Sequence, residues 1–546
     1  MPISAFTKKG ETPNEEPFSD RQLARPVQDF IQTLRQGKAP YEVTEGEPVI
    51  HVSSAVSHAA HFYERLRYSV DYHEEHLLRR HAFQRILRRR FSSGEINGSA
   101  RSLLVEFVHA QYLKNDAVSE SVIPRVQIIL DRYASLFAVI NQTPINNCAE
   151  ILQWLTGVAA AELDAFLVPT PEEEALVNLV RASLDRDRPL AAWRLSDEDR
   201  ATLEYVAAYR ALFSLDLPKI RFLLLRRRMK NWHQFSPADA ERIVPELLHH
   251  HKEIERAITH PASDRFYRAL RRRSLIFHAL YDVIKDDLSS AELLLSDTNR
   301  FETTVREICT RYYRAARGRL YTSALRAIIY IFLTKILVAL LLEAPIEALL
   351  YGAIATTPLI TNLSFPPILM FLLTLTMRFP QEKNTEVVLR LSETIKYGGA
   401  GRIFPELRAP RRASAVSTGA LTFIYSIAFA LTFGFITATL STFGFTLVGV
   451  LFFLFFLSIV SFFALRIRQP VRDLFVERRR DTFLTSLVDL LSLPILKVGR
   501  WIALTSSRFN VFLYFFDYFL EAPIKAFLLV SEDVLGFFRE KREDIV

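Results

Sequence analysis

The chain has 546 residues, of which 50% are hydrophobic and 23% are charged, and its length allows two or more domains of about 100–200 residues each. This composition excludes an ordinary soluble protein and also a membrane bundle without cytoplasmic parts, because apolar and charged residues are concentrated in different regions. Two cysteines allow at most one disulfide bridge and exclude a cysteine-rich zinc site. A net charge of +8 does not by itself indicate nucleic-acid binding, which needs basic residues gathered on one face.

The first half of the chain predicts an all-α cytoplasmic domain at 51–322, preceded by a flexible N-terminal region at 1–50. The N-terminal region is rich in Pro, Glu and Gly, contains one short helical run, and has no signal-peptide pattern. After it, apolar residues recur three and four apart, and no alternating strand pattern appears. The predicted helices lie at roughly 54–91, 100–114, 119–141, 146–166, 171–187, 196–214, 218–230, 237–259, 263–287 and 289–319.

Four apolar stretches then predict two transmembrane hairpins, at 323–378 and 417–466. Each stretch has about the 20 residues that cross a hydrocarbon core. Lys and Arg collect before the first stretch, in the basic cytoplasmic loop at 379–416, and after the fourth stretch, whereas the two short turns have none. By the positive-inside rule, we expect a multi-pass protein with both termini in the cytoplasm.

The last region, 467–546, predicts amphipathic helices on the membrane surface and a charged tail, because charges alternate with Phe, Leu and Val at helical spacing. A fifth span at Val511–Val530 is the alternative. The candidate contacts with anionic lipid headgroups are Arg478, Arg479, Arg480 and Trp501. Each basic residue at such a surface contributes about 1 kcal/mol. Solvated helix surface is the alternative interpretation of this basic run.

Small side chains recur every fourth residue along the third span, which is the pattern by which membrane helices approach closely. The stripe contains Thr422, Ser426, Ala430, Gly434 and Ala438. It predicts a helix–helix contact, with either the fourth span or another copy of the chain as the partner.

Lys335, Glu343 and Glu347 form a polar ridge at multiples of four in the first span, and Pro345 is expected to bend or end that helix. A charge near the bilayer centre costs about 2.5–3.5 kcal/mol on insertion scales, so such residues pair or line a polar cavity. The ridge is therefore either part of an ion or substrate pathway or a structural pair. The sequence NLSFPP at Asn362–Pro367 is either a broken helix of the transporter kind or a simple kink.

No catalytic, cofactor-binding or metal-binding residue is predicted. His73 and His76 are three apart in HEEH, but this is not the HExxH spacing, and a solvated helix face explains it better. The glycine-rich YGGAGR at Tyr397–Arg402 lacks the Lys-Ser/Thr pair of a phosphate-binding loop, so we interpret it as a helix C-cap. A lipid-modifying enzyme is poorly supported, because no acid–base or metal-binding group of residues lies near the predicted spans.

The nonapeptide LEAPIEALL at Leu342–Leu350 returns as LEAPIKAFL at Leu520–Leu528. Together with NLSFPPILMFLLTLT, the segment Ala207–Trp232 and the C-terminal LPILKVGRWIALTSSRFNVFLYFFDYF, it resembles an uncharacterised multi-pass membrane-protein family of candidate-phyla (Patescibacteria-type) bacteria. The resemblance implies a bacterial cytoplasmic (inner) membrane and no known activity, and it assigns no functional residue.

These observations predict an all-α fold, in which a helical cytoplasmic N-terminal domain is followed by two transmembrane hairpins (four spans) and amphipathic C-terminal helices. We expect a non-enzymatic, membrane-anchored scaffold or interaction protein without a cofactor. Its expected partners are a bilayer with anionic headgroups and either another protein or a second copy of the chain, but not nucleic acid. The alternative is a subunit of a transporter or channel that uses Lys335, Glu343 and the break at Asn362–Pro367.

Overall fold

The computed structural model describes the chain in segments, and within these segments the fold is all-α. The only β-type pairing in these segments is an isolated antiparallel bridge between Val49 and Ser119. The described residues are 22–36, 47–52, 75–94, 96, 98–144, 146–187, 193, 195–214, 216–352, 356–398, 402–404, 407, 415–477 and 483–508.

The helical domain contains twelve helices within the described residues. They are α1 (Arg25–Gln36), α2 (Glu75–Ser93), α3 (Ala100–His109), α4 (Ile123–Gln142), α5 (Cys148–Leu167), α6 (Pro171–Asp187), α7 (Asp197–Phe213), α8 (Leu217–Arg228), α9 (Ala240–Thr259), α10 (Pro261–Arg271), α11 (Ser274–Asp286) and α12 (Ala291–Ser296). The predicted all-α fold is thereby confirmed, with the predicted 263–287 helix divided into α10 and α11.

The remaining helices connect this domain to an apolar bundle. They are α13 (Thr298–Val338), a π-helical turn (Ala339–Glu343), α14 (Ala344–Tyr351), α15 (Thr356–Leu375), α16 (Glu382–Tyr397), α17 (Ala415–Thr442), α18 (Leu447–Arg472) and α19 (Phe483–Arg508).

Helix α5 lies at the centre of the domain core. It is apolar on nearly all sides, and every residue from Trp154 to Asp164 is buried. A helix that is hydrophobic all round must be enclosed by others, and α5 packs against α2, α4 and α8. Two other helices of the domain, α7 and α8, begin with regular N-caps: the Ser196 side chain accepts the Asp199 N–H, and Asp216 accepts the Lys219 N–H.

The two regions that the sequence assigned to a flexible N-terminus and a basic loop both contribute to this core. In α1, Val27, Phe30 and Ile31 are buried at i, i+3 and i+4 spacing. In α16, Val388 and Ile395 are buried in the same cluster. The prediction did not place these two helices in the core, because each short amphipathic helix lies within a polar region that contains Pro and Gly. The composition of the region was given more weight than the helical spacing of its apolar residues.

A single helical rod, α13 to α14, joins the domain to the bundle. It runs without interruption from Thr298 to Tyr351, 54 residues, or about 80 Å at about 1.5 Å per residue. Its first turns bury Phe301 and Val305 in the domain core, and its later turns bury Ile331 and Lys335 among the apolar helices. The sequence predicted two helices here, with a boundary near residue 320.

Asn384 forms hydrogen bonds to two other segments where the domain meets the bundle. Its Nδ2 donates to Tyr313 Oη of α13 at 2.8 Å and to the Leu474 carbonyl after α18 at 2.9 Å. Its Oδ1 accepts the Val476 N–H at 2.9 Å. One amide side chain therefore connects the rod, the α16 segment and the end of α18.

Within the described residues, four helices are long and apolar enough to cross a membrane, as the sequence predicted, and we refer to them as the span helices. They are Thr298–Tyr351 over its apolar part, Thr356–Leu375, Thr418–Thr442 and Leu447–Arg472. The bent pair Cys148–Leu167 and Pro171–Leu184 passes the same test only if it is counted as one span. Its apolar residues lie in the domain core, so we count it with the domain.

Helix α19 packs against the third and fourth span helices. The Thr432 hydroxyl donates to the Leu491 carbonyl at 3.0 Å, and Lys497 Nζ lies 4.1 Å from the centroid of the Tyr425 ring. A Cβ at Gly499 would overlap the Ser458 backbone, so this close approach requires glycine. That the region after 466 lies at a membrane surface stays a prediction, and Val511–Val530 is outside the described residues.

Candidate functional site

The polar ridge of the first span helix is held on one face by a π-helical turn. Ile331, Lys335, Ala339, Glu343 and Glu347 are all buried at a spacing of four. In a regular α-helix this spacing would drift by about 40° per step, and a π turn, with more residues per turn, reduces the drift.

The π turn lies at the point where a proline removes a donor. The Ala344 N–H donates to the Ala339 carbonyl, five residues back, and Pro345 follows with no N–H to offer. The helix then continues to Tyr351, so the proline neither ends nor sharply breaks it.

Lys335 and Glu343 form a fully buried ion pair. Lys335 is 0% exposed and Glu343 is 1% exposed, and the Nζ–Oε2 distance is 2.7 Å. The ammonium also lies 4.7 Å from the Phe456 ring centroid and 5.5 Å from that of Phe452. Two rings and one carboxylate thus surround the charge, as a buried cation requires.

Asn362 of α15 completes this pair from the second span helix. It is 0% exposed, and its Nδ2 donates to Glu343 Oε1 and, at 3.3 Å, to the Gly449 carbonyl of α18. Its Oδ1 has no hydrogen-bond partner within the described segments. Of the two interpretations of Asn362–Pro367, the broken helix is wrong, because α15 continues through both prolines. Asn362 instead serves as a bridge between helices.

Glu347 binds at the beginning of the fourth span helix. The Thr446 hydroxyl donates to Glu347 Oε1 and accepts the Gly449 N–H at 3.0 Å, which makes Thr446 the N-cap of α18. The positive end of a helix dipole stabilises a carboxylate in this position. A Cβ at Gly449 would lie 3.4 Å from Glu347 Oε1, which is an ordinary van der Waals distance.

We call Lys335, Glu343, Glu347, Asn362 and Thr446 the buried polar cluster. It contains one basic and two acidic side chains, and it connects the first, second and fourth span helices. Toward the helical domain it is followed by an apolar layer, which contains Ala324, Ile331, Met370, Val460 and Ala464. The cluster therefore links three span helices in the described chain.

The sequence identified Lys335, Glu343 and Glu347 but missed their partners. Asn362 was noted only as the start of a break. Thr446 carried a recognisable signal, because a threonine shortly after Gly444 and before an apolar helix is a typical N-cap.

The small-residue stripe on α17 lies on an exposed face of the helix in the described segments. Thr422, Ser426, Ala430, Gly434 and Ala438 are all exposed within the described segments. The α17 residues that are buried lie on another face and are Ala428, Thr432 and Leu440. This exposure does not support the fourth span helix as the partner of the stripe, and contact with a second copy stays a prediction.

The proposed lipid contacts are described only in part. Arg478, Arg479 and Arg480 lie outside the described residues, whereas Trp501 of α19 is 67% exposed. Among the histidines, His73 is also outside them, and His250 of α9 lies 3.1 Å from a Glu253 oxygen.

A second buried polar network, which no spacing pattern in the sequence predicted, lies in the helical domain. Glu162 of α5 is 3% exposed and interacts with Arg132, Tyr133, Trp232 and His233. Its one sequence signal is the pair of acidic residues inside the apolar run GVAAAELDAFL. The partners come from distant positions along the chain, so spacing alone does not reveal them.

Lys396 is a buried cation outside the span helices. It is 0% exposed, and its Nζ has no hydrogen-bond partner in the described part of the chain. The Nζ lies 4.2 Å from the Phe301 ring centroid and 4.5 Å from that of Tyr397. Burial lowers the pKa of Lys396 from 10.5 to about 8, and nearby Glu393 opposes this effect.

Comparison of the chain with protein-family models, with curated proteins and with solved structures found no match in any of the three.

Proposed function

We propose that this protein is a membrane-anchored scaffold that holds a helical interaction domain at a fixed position on the cytoplasmic face of a membrane. The observation that carries the proposal is the uninterrupted rod from Thr298 to Tyr351, which has buried residues in both the domain core and the span helices. A mobile tether between domain and membrane would require a break in this helix, and none lies within it.

Further contacts across the junction support a fixed orientation. Besides the Asn384 bonds, Arg271 of α10 pairs with Asp473 after α18 at 3.0 Å, with both side chains about one-quarter exposed. The buried polar cluster supports the same proposal, because it joins three span helices.

The rigidity can be tested with spin labels at Leu293 and Leu325, which are 72% and 59% exposed. Leu293 lies on α12 of the domain, and Leu325 lies on the rod about 40 Å beyond its start at Thr298. We expect a single narrow distance distribution for the full-length protein in lipid nanodiscs. Insertion of a Gly-Ser-Gly-Ser linker after Gly318 should broaden it, and a broad distribution without the linker would contradict the scaffold proposal.

The interaction role needs its own measurement in the native membrane. A photoreactive amino acid at Leu293, which is exposed on the domain, should give a discrete cross-linked product. The same label combined with the linker after Gly318 should give less product, because the domain is no longer held in position. Equal product with and without the linker would show that a fixed position is not needed.

One observation favours a second candidate, a transporter or channel subunit. Lys335, Glu343, Glu347 and Asn362 are almost completely buried in the span helices, and ionisable residues at such positions often mark ion pathways. Proton, sodium and chloride flux can be measured in proteoliposomes for the wild type, Lys335→Met and Thr334→Ala. Thr334 is a matched control, because its hydroxyl donates only to the Tyr330 carbonyl of its own helix at 2.7 Å. Flux that only Lys335→Met abolishes would support this candidate over the scaffold.

A further inference from the structure

The helical domain contains a cavity of about 380 Å³ between α4, α5 and α8. This volume lies at the lower end of the range of small-molecule sites, which is about 300–1,000 Å³. The cavity is separate from the buried polar cluster of the span helices, since all its lining residues lie between 125 and 233.

Glu162 lines the cavity, and both of its carboxylate oxygens have hydrogen-bond partners. Oε2 accepts from Tyr133 Oη at 2.7 Å and from Trp232 Nε1 at 2.8 Å, while Oε1 lies 3.3 Å from Arg132 Nη1 and 3.2 Å from His233 Nδ1. Burial alone would raise the pKa of Glu162, but these hydrogen bonds and the Arg132 charge lower it below its usual value. This carboxylate is therefore a fixed anion that holds Arg132 in place.

Within the described residues, Arg132 keeps one unused donor, its Nε, and it lines the cavity. Its Nη1 donates to Glu162 and, at 2.9 Å, to the Trp232 carbonyl, whereas its Nε has no partner within the described segments. The side chain is 4% exposed, so it is held in a largely dry environment, where a hydrogen bond to an anion is strong.

Two more arginines line the cavity, Arg125 on α4 and Arg226 on α8. Three arginines and one glutamate give the lining a formal charge of +2, not counting His233. Arg226 also approaches Glu174 at 3.4 Å, but that carboxylate is 56% exposed, so the pair is weak and solvated.

Apolar side chains form the remaining walls. Phe222 is buried, and the Arg226 guanidinium lies 5.9 Å from its ring centroid. Ile128 is 57% exposed beside the opening. The cavity thus offers positive charge next to apolar surface, the combination that recognises a molecule with an anionic group and an apolar body.

We propose that this cavity binds a small organic anion, a carboxylate or phosphate monoester joined to an apolar or aromatic group. The anionic group contacts the guanidinium groups of Arg125, Arg132 and Arg226, and the apolar part packs against Phe222 and Ile128. The same chemistry occurs in soluble metabolites and in the headgroup region of an anionic lipid. This inference does not depend on the scaffold proposal.

Isothermal titration calorimetry on the full-length protein in nanodiscs of phosphatidylcholine alone provides the test, with phenyl phosphate, benzoate and inorganic phosphate as probes. We expect saturable binding of phenyl phosphate and at least tenfold weaker binding of inorganic phosphate, which lacks the apolar part. Short-chain phosphatidic acid that binds more tightly than phenyl phosphate would identify a lipid source, and the reverse order would identify a soluble one.

Arg226→Gln should raise the Kd for phenyl phosphate at least tenfold, and Arg226→Lys should restore part of the affinity. Arg227→Gln is the matched control, because Arg227 lies on the same helix over the Tyr205 ring, 5.2 Å from its centroid, and does not line the cavity. Melting temperatures equal to that of the wild type verify folding. No saturable binding of any probe at millimolar concentration, or equal loss in Arg226→Gln and Arg227→Gln, would overturn the proposal.

Discussion

Replacement of Lys396 by methionine should stabilise the folded protein at neutral pH. The Lys396 ammonium is completely buried beside two aromatic rings, without a hydrogen-bond partner in the described chain. Its pKa falls from 10.5 to about 8 because burial disfavours the charge. At about 1.4 kcal/mol per pKa unit, this difference corresponds to roughly 3 kcal/mol at pH 7. Methionine has a similar shape and no charge, and the lost cation–π contacts reduce the gain by about 1 kcal/mol.

The pH dependence independently tests whether Lys396→Met raises or lowers the free energy of unfolding. Below about pH 8, both folded and unfolded states carry the charge, so the wild type bears the full cost. As the pH rises from about 8 to 10.5, the folded state releases its proton first and the wild type becomes more stable. The advantage of Lys396→Met should therefore be largest at pH 7 and should disappear near pH 10.5.

The measurement is thermal unfolding of the detergent-solubilised full-length protein, followed by tryptophan fluorescence at pH 7 and pH 10. Lys383→Met is the matched control, because Lys383 lies on the same helix and is exposed. We expect the control to change stability by less than about 0.5 kcal/mol. A melting temperature for Lys396→Met that is below the control at pH 7, or a difference that does not shrink with pH, would refute the reasoning.

Three further changes test the packing of the molecule. Glu343→Gln should destabilise the protein by about 3–5 kcal/mol, because it leaves the Lys335 charge unpaired among apolar helices, and Lys335→Met combined with Glu343→Leu should recover most of the loss in unfolding experiments. Gly499→Leu should reduce the free energy of unfolding by about 1–3 kcal/mol and so lower the melting temperature. Gly434→Leu should leave both unchanged, because no atom of the described residues lies within 4 Å of the Cβ position at Gly434. Cys309, buried and with its pKa raised to about 11 by burial, should resist maleimide labelling of the native protein, and rapid modification detected by mass spectrometry would contradict its burial.

Much of the fold was predictable because helix periodicity and length are local properties of the sequence. Apolar spacing located most helices of the domain, and runs of about 20 apolar residues located the four span helices. Local pattern also identified Lys335, Glu343 and Glu347 as one polar ridge. It did not show that the rod is continuous through residue 320, since a change from charged to apolar composition resembles a boundary even where no helix-breaking residue is present.

The partners of the ridge depend on long-range packing, which a single sequence does not encode in its spacing. Asn362 and Thr446 meet the first span helix only after three helices are arranged side by side. The stripe at Thr422–Ala438 shows that a clear local spacing pattern can also leave the contact partner undetermined. Small side chains permit close approach but do not select a partner, and within the described chain α19 packs on a different face of α17.

The rod from Thr298 to Tyr351 also limits how the chain length can vary. Adding one residue between Cys309 and Ile331 would rotate one end against the other by about 100° and lengthen the rod by about 1.5 Å. One of the two buried faces would then turn away from its core. Only changes close to whole turns, such as about seven or eighteen residues, would keep both faces in register. The distance between the domain and the span helices is thus set in steps, and this segment should tolerate substitution on its exposed faces far better than insertion or deletion.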